Sequence, residues 1–407
     1  MFSASHFLFR KGFYTVRYAS LLSGHTIYSM QQSHQIQTRV PHMTTPTNDR
    51  LNYELLVRKD VADVYENIRK NLKRVQVESV LPLAYYHFDG DGKCLRPLVI
   101  LCWAKAINFI LKETSPKVIE NQKKVAQVAE MVHGTCLYHH DDVIDDAIKR
   151  RAKPTINFHC GQKKSIWAGD FVLGRALETI SQIPNNEVCI LLTRMILNFV
   201  TGELMQLDTG ATEEERFSQY IDKTFNKTAS VFAYSCKAVL VLAGADATLQ
   251  TTAFEFGRQL GIAYQLVDDI IDFSAIASTE YGKARAVYLN QGLANMPVLF
   301  AAQQFPELNP MILRRFKEPG DVAAAYSLIL KSDGLQRTKE LAIQYYGDAM
   351  DKIAQLSQSP YQEMLFTLCA KRTFCHRYLS CKVAKTTIQS IQSHRTLCIT
   401  WAVIRRT

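Results

Sequence analysis

The run LQTTAFEFGRQLGIAYQLVDDIIDF, Leu249 to Phe273, decides how this chain is read. It contains no proline, and its apolar side chains recur at helical spacing through Ala253, Phe256, Leu260, Ala263, Val267 and Ile270, which predicts one long helix. The last turn of that helix carries Asp268, Asp269 and Asp272. Far upstream, Asp141-Asp142-Val143-Ile144-Asp145-Asp146 repeats the same i, i+1, i+4 spacing. Residues four apart on a helix stack on one face, so Asp141 and Asp145 form one acidic edge and Asp268 and Asp272 another. A single acidic cluster in a helical protein is usually a solvated face. Two clusters of equal spacing, embedded in apolar sequence (Cys136-Leu137-Tyr138 before one, Ile262 to Val267 before the other), point instead to carboxylates that are paired or metal-bound. Facing each other they would line a cleft with oxygen. Crowded carboxylates repel unless cations intervene, and hard oxygen ligands suit Mg²⁺ shared with a diphosphate.

Outward from these motifs the chain is a succession of apolar-periodic stretches, among them Val118–Tyr138, Ile190–Leu207 and Ala229–Ala243. Short turn signals separate them, such as Asp89-Gly90-Asp91-Gly92, Pro184-Asn185-Asn186 and Pro319-Gly320-Asp321. Strand-like alternation bounded by hairpin turns is not evident, and no Pro/Gly/Ser-rich spacer divides the middle of the chain. The expectation is an all-α protein with one helical domain over residues 46–365 and its sites built between facing helices.

The formal charge of +10 invites a nucleic-acid reading. Its distribution argues against one, because residues 1–45 carry four basic side chains and residues 364–407 carry eight, neither stretch having an acid. The basicity belongs to the ends, and the middle is slightly acidic. Residues 1–45, rich in Ser, Thr and His with scattered Arg and Lys, have the composition of a mitochondrial transit peptide, which places the protein in the matrix. Residues 366–407 form a divergent, basic, cysteine-containing tail that is expected to be poorly ordered; its cysteine spacings do not match structural zinc sites. Ten cysteines without a C-x-x-C pair are consistent with a reducing compartment. No run of 18 apolar residues suggests a transmembrane span.

Cations complete the pattern. Lys93 and Arg96 lie three apart after the glycine-rich turn, at what reads as a helix start, and would share a face as an anion grip, Arg as a fork and Lys as a point charge. Alone, two such cations are commonly just exposed. Arg150 and Arg151 follow the first acidic edge, and acid next to base points to phosphate plus metal.

Together these residues resemble the trans-polyprenyl diphosphate synthases, most closely the mitochondrial decaprenyl or solanesyl type that makes the ubiquinone side chain. The resemblance runs from about Arg58 to Ser357. It rests on Phe88–Pro97, His140–Arg151, Gly161-Gln162-Lys163-Lys164 with Ala168-Gly169-Asp170, Gly202-Glu203 with Gln206-Leu207, Lys223–Ser230, Gln265–Phe273 and Pro297–Asp321. It implies a large orthogonal helical bundle of the isoprenoid synthase type with a central cavity. It also implies that Asp141, Asp142, Asp145, Asp268, Asp269 and Asp272 hold Mg²⁺ ions bridging an allylic diphosphate, farnesyl or geranylgeranyl. Lys93, Arg96 and Arg151 would then hold isopentenyl diphosphate, with His133 beside them, while Arg150, Lys227, Thr228, Gln265 and Lys283 contact the allylic side. Asp141, Asp145, Lys227, Asp268 and Lys283 are the residues expected to carry catalysis. The family also implies a homodimer, or a hetero-oligomer with a second synthase-like subunit, and peripheral membrane contact for product release.

The chemistry explains the residue types. Metal and cationic side chains stabilise the charge building on departing pyrophosphate, a second anion site positions the acceptor alkene, and a dry cavity protects the allylic cation from water. No protein nucleophile is needed. In the family an aromatic side chain one turn below the first aspartate stops growth early; Leu137 and Cys136 stand there in this chain and neither is aromatic, so the resemblance implies a long product. The chain also departs from the family. Gly134 stands where the family has its histidine, and His133 lies one residue earlier, a shift that turns a helical side chain by about 100°. Thr279 and Tyr288 replace acids on either side of Lys283. Two rivals follow: a non-catalytic paralogue supporting another synthase, and a terpene cyclase, which would not need the Lys93–Arg96 grip.

Overall fold

The computed structural model describes residues 47–74, 81–86, 88, 94–145, 147–150, 153–207, 212–273 and 286–373. Among these, the long helices are α1 (Thr47–Leu72), α3 (Leu95–Leu111), α4 (Pro116–Thr135), α7 (Gln162–Ser181), α8 (Asn186–Leu207), α9 (Glu213–Thr224), α10 (Ser230–Leu242), α11 (Ala247–Asp272), α15 (Asp321–Lys331), α16 (Gly334–Ala354) and α17 (Pro360–Thr373). Shorter ones are α2 (Leu81–Tyr85), α5 (Asp142–Ile144), α6 (Ile156–Cys160), α12 (Val287–Asn290), α13 (Met296–Gln304) and α14 (Leu308–Leu313). Lys149–Arg150 and Lys153–Pro154 pair as a two-residue antiparallel ribbon, a detail that helical periodicity elsewhere does not foretell.

Local chemistry sets the boundaries. Pro116 opens α4, where its missing N–H costs nothing. Thr212 and Glu215 close a capping box on α9. The Asp246 carboxylate accepts from Leu249 N at 2.9 Å to start α11, which then runs to Asp272 as its periodicity predicts. Asn185 does the same for α8, accepting from Val188 N at 3.0 Å within the expected Pro184-Asn185-Asn186 turn.

The main core is formed chiefly by α1, α3, α4, α7, α8, α10 and α11. Trp103 of α3 and Phe256 of α11 lie at its centre with ring centroids 5.1 Å apart. A second cluster, including Phe273, Leu289, Val298, Ile312, Phe316 and Ile329, packs the elements that follow α11. Burying a side chain of this size is worth about 1.5–3 kcal/mol.

Among the described residues, two helical segments depart from α geometry. Cys136–Asp141 and Phe225–Ala229 are π-helical, each inserted in an otherwise continuous helical path, the first from α4 into α5 and the second from α9 into α10. Such bulges take up an extra residue and are frequent at functional sites. Glycines make room for both. A Cβ on Gly169 of α7 would lie 2.7 Å from His139 Cβ and from His140 Nε2. A Cβ on Gly202 would lie 2.6 Å from Lys227 N, and one on Gly261 would meet Ala229.

One expectation is revised. The tail was expected to begin at 366, but α17 continues to Thr373 and buries Leu365 and Cys369 completely in the main core. The apolar face of Leu365 and Cys369 one turn apart explains why the helix goes on. Residues 374–407 and the proposed transit segment lie outside the described residues. In addition, Asn186–Gln206 is long and apolar enough to cross a membrane by length and composition alone. One face of that helix, through Val188, Leu192, Met195 and Phe199, is buried in the main core, as in the core helix of a bundle.

Candidate functional site

The first aspartate motif begins at the last residue of the π segment. Asp145 N donates to Asp141 O at 2.8 Å, so the two residues hold the i, i+4 relation that the spacing predicts. Asp141 is 4 % exposed, Asp142 is buried and Asp145 is half-buried. The π bulge also bears on His133. It lies between His133 and Asp141, and a bulge that absorbs one residue restores the helix faces on either side of it, so the rotation of about 100° expected from sequence is not imposed. His133 is buried within α4.

The second π segment joins the two motifs. Its Lys227 ammonium lies 3.3 Å from Asp141 Oδ2 and 2.7 Å from Glu203 Oε1, and it donates to Gln206 Oε1 at 3.3 Å. Glu203 and Gln206 share one face of α8. The next residue, Thr228, donates through Oγ1 to Gln265 Oε1 at 3.2 Å, and Gln265 Nε2 donates to Asp269 Oδ1 at 3.0 Å. Adjacent residues of one turn therefore touch the first motif on one side and, through Gln265, the second on the other. Burial alone would lower the Lys227 pKa, but Asp141 and then Glu203 outweigh it and raise it above the usual lysine value.

The three aspartates of the second motif differ in their surroundings. Asp269 is buried and accepts from Tyr220 Oη at 2.6 Å and Met296 N at 3.1 Å as well as from Gln265. Burial pushes its carboxyl up to about 6, against the pull of Tyr220, Gln265 and the Met296 amide. Asp272, also buried, accepts from Val287 N at 3.0 Å and Tyr288 N at 3.3 Å, which starts α12. Asp268 is half-buried and accepts from Tyr288 Oη at 2.7 Å. Asp269 and Asp272 are thus built into the frame of the motif, and Asp268 is the more open of the three.

Arg96 lies in the first turn of α3 with its guanidinium 5.6 Å from the Phe232 ring centroid. Among the described residues its buried Nε has no hydrogen-bond partner, an orphaned cationic donor of the kind an anion satisfies. Lys93, Arg151 and Lys283 lie outside the described residues, as do Asp146, Thr279 and the side chains of Arg150 and Leu137. Cys136, the other expected floor residue, is buried.

Among the described residues no three His, Cys, Asp or Glu side chains converge to cage an ion without help. Mg²⁺ sites in phosphate-handling proteins take only one or two carboxylates, the remainder coming from phosphate and water. Asp141, Asp145 and Asp268 are an all-oxygen donor set of that kind, and they fit Mg²⁺. Glu203, Tyr220 and Tyr288 are contributors that the sequence reading left without a role. Glu203 as the only charge between Met195 and Leu207 was the available signal for the first; nothing local marks Tyr220.

The polyprenyl synthetase family profile matches residues 77–329. The chain is 44 % identical over 310 residues to the all trans-polyprenyl-diphosphate synthase PDSS1 of Homo sapiens, covering 76 % of this chain and 74 % of that protein. It is 34 % identical over 355 residues to the mitochondrial solanesyl-diphosphate synthase 1 of Oryza sativa subsp. japonica, covering 84 % and 82 %. Its fold superposes with a TM-score of 0.68, at 28 % identity, on the polyprenyl synthase of Caulobacter crescentus solved in complex with calcium and isoprenyl diphosphate, covering 80 % of this chain and 97 % of that one. With all-helical architecture, sequence and motif geometry in agreement, the chain belongs to the polyprenyl synthetase family.

Proposed function

We propose that this protein is a trans-prenyltransferase that adds isopentenyl diphosphate units to an allylic diphosphate, farnesyl or geranylgeranyl, and releases a long-chain polyprenyl diphosphate for the ubiquinone side chain. The observation that carries this reading is the Lys227–Thr228 turn, which reaches Asp141 directly and Asp269 through Gln265. Asp141, Asp145 and Asp268 would hold Mg²⁺, and a diphosphate bound at this seam would meet residues of both motifs. Bound Mg²⁺ would supply Lewis-acid stabilisation of the departing diphosphate. Lys227 adds a fixed cation where negative charge builds, and Thr228 and Gln265 orient the same group. Arg96, with Lys93 and Arg151 from the resemblance, holds the second diphosphate, so that two anion sites flank one reaction centre. The burial of Asp141 and Cys136 favours a cleft from which water is excluded, as an allylic cation requires.

The location follows the rice relative, named as mitochondrial, together with the acid-free basic N-terminal stretch, and the matrix is the compartment we assign. An oligomer is supported by α8, whose outer face exposes Ile190, Leu197 and Leu204 along one stripe, the last two more than 60 % exposed. Apolar side chains exposed at heptad spacing along one helix suit a second copy or a homologous subunit.

The test is incubation of the protein from about residue 45 onward with Mg²⁺, farnesyl diphosphate and labelled isopentenyl diphosphate, with products sized by chromatography. Label in long-chain products is expected. Absence of incorporation, both alone and with a homologous subunit added, would overturn the enzymatic reading and leave the chain as a scaffold. Label confined to a single added unit would overturn the long-chain assignment.

A further inference from the structure

Tyr288 stands where the family pattern has an acid, and its surroundings give it a different use. Its phenol donates to Asp268 Oδ2 at 2.7 Å, while its own backbone N–H donates to Asp272 Oδ2 at 3.3 Å. The same residue therefore ties the first and last aspartates of the second motif. Its backbone is held on both sides. Ala286 N donates to the Asp272 carbonyl at 3.0 Å, Val287 N donates to Asp272 Oδ1 at 3.0 Å, and Leu293 N donates to the Tyr288 carbonyl at 2.8 Å. The neighbouring Leu289 is buried in the second core. Ala286, at φ 52°, turns the chain onto this seat through a left-handed conformation that side-chain-bearing residues rarely adopt. A ring fixed at its backbone, with one polar atom on a carboxylate, is a pre-organised donor.

An acid at 288 would add a further negative charge beside Asp268 and Asp269. A neutral phenol does the reverse, engaging one oxygen of Asp268 by a charge-assisted hydrogen bond while the carboxylate keeps further acceptor capacity. Carboxylates that ligate metals are commonly held in this way, and loss of the holding group costs 10- to 100-fold in affinity.

We propose that Tyr288 is a positioning residue for divalent-ion binding at the second aspartate motif, its phenol orienting the Asp268 carboxylate in place of the missing acid. The inference rests on the reading of the cleft given under the proposed function. It is tested by titrating the full chain with Mn²⁺, in the presence of inorganic pyrophosphate, and following free Mn²⁺ by electron paramagnetic resonance. The set is wild type, Tyr288→Phe, Asp268→Asn and the double variant, each checked by circular dichroism and urea unfolding; Tyr288→Phe removes a single oxygen from a half-buried ring. Tyr288→Phe is expected to weaken Mn²⁺ binding about 10-fold. It should raise the Mg²⁺ concentration for half-maximal turnover by a similar factor while leaving kcat at saturating Mg²⁺ within about 3-fold, because the residue acts through Asp268. In the Asp268→Asn background it should change nothing further. Unchanged or tighter Mn²⁺ binding by Tyr288→Phe overturns the proposal, as does an equal loss in both backgrounds. A wild-type chain that takes up no Mn²⁺ overturns the metal reading of the whole cleft, a result separable from failure at Tyr288 alone.

Discussion

Replacing Lys227 by methionine tests the seam between the motifs most sharply. The side chain is about as long but has no charge, so packing is largely retained while Asp141 and Glu203 lose their shared cation. Asp141 is 4 % exposed and cannot be rescued by bulk water. Removing one partner of a buried ion pair costs about 3–5 kcal/mol, because the remaining charge stays buried. Lys227 and Glu203 each keep about a fifth of their side-chain surface, which places the expected loss near the lower end, about 3 kcal/mol. Urea unfolding in metal-free buffer measures it. Mg²⁺ with pyrophosphate should restore more stability to Lys227→Met than to wild type, because cations reoccupy the carboxylates; a ligand at a hundred times its Kd contributes about 2.7 kcal/mol. Adding Glu203→Gln should recover at least about 1 kcal/mol of the loss, since one of the two carboxylates that faced the ammonium is then neutral. Turnover should fall about 100-fold or more, the effect of deleting one donor at a site of developing negative charge. A variant as stable as wild type without metal, to within about 0.5 kcal/mol, would refute the reasoning, since the buried carboxylates would then not depend on Lys227.

Three further outcomes are expected. Gly261→Ala drives a Cβ into the Ala229 backbone and side chain, so overpacking should cost about 1–3 kcal/mol in thermal or urea unfolding and reduce turnover by displacing the Lys227 turn. Asp60 of α1 lies 2.6 Å from Lys105 and 2.7 Å from Lys123; burial raises its pKa, but the two lysines outweigh that and hold it below the ordinary aspartate value. Its contribution is therefore present above about pH 4 and lost as pH falls through the depressed value, so Asp60→Asn should destabilise by about 2 kcal/mol at pH 7 and converge on wild type in strong acid, read from urea midpoints across pH. Asp141→Ala should abolish turnover while leaving the far-ultraviolet circular dichroism spectrum intact, and an unchanged rate would remove the first acidic edge from the metal site.

Much of this architecture was legible in the residues because two periodicities coincide. Apolar spacing placed Leu249–Phe273 and Ile190–Leu207 within a few residues of α11 and α8, and carboxylates four apart at Asp141 and Asp145 kept that relation in space. The π segments were not legible. Whether a helix absorbs one extra residue as a bulge or rotates everything beyond it depends on what packs against it, here Gly169 beside His139 and His140, and no local spacing states that. The partners of Asp269 and Asp272 were hidden for a similar reason: identical in chemistry to Asp268, they receive Tyr220, the Met296 amide and the α12 amides, which come from other segments. Tyr288 was visible as a departure from the family pattern, but its effect on Asp268 needs the fold that brings α12 back onto the end of α11. The final helix was misread at its end because composition changes at Phe366 while the buried face continues through Cys369.

Diffraction from crystals grown with Mn²⁺ and a non-hydrolysable allylic diphosphate analogue, using the anomalous signal of manganese, tests the shared cleft most directly. Manganese is expected against Asp141 and Asp145 on one side and against Asp268 on the other, with a single diphosphate between them and Lys227 beside it. Manganese at only one motif, or a diphosphate bound away from both, would contradict it.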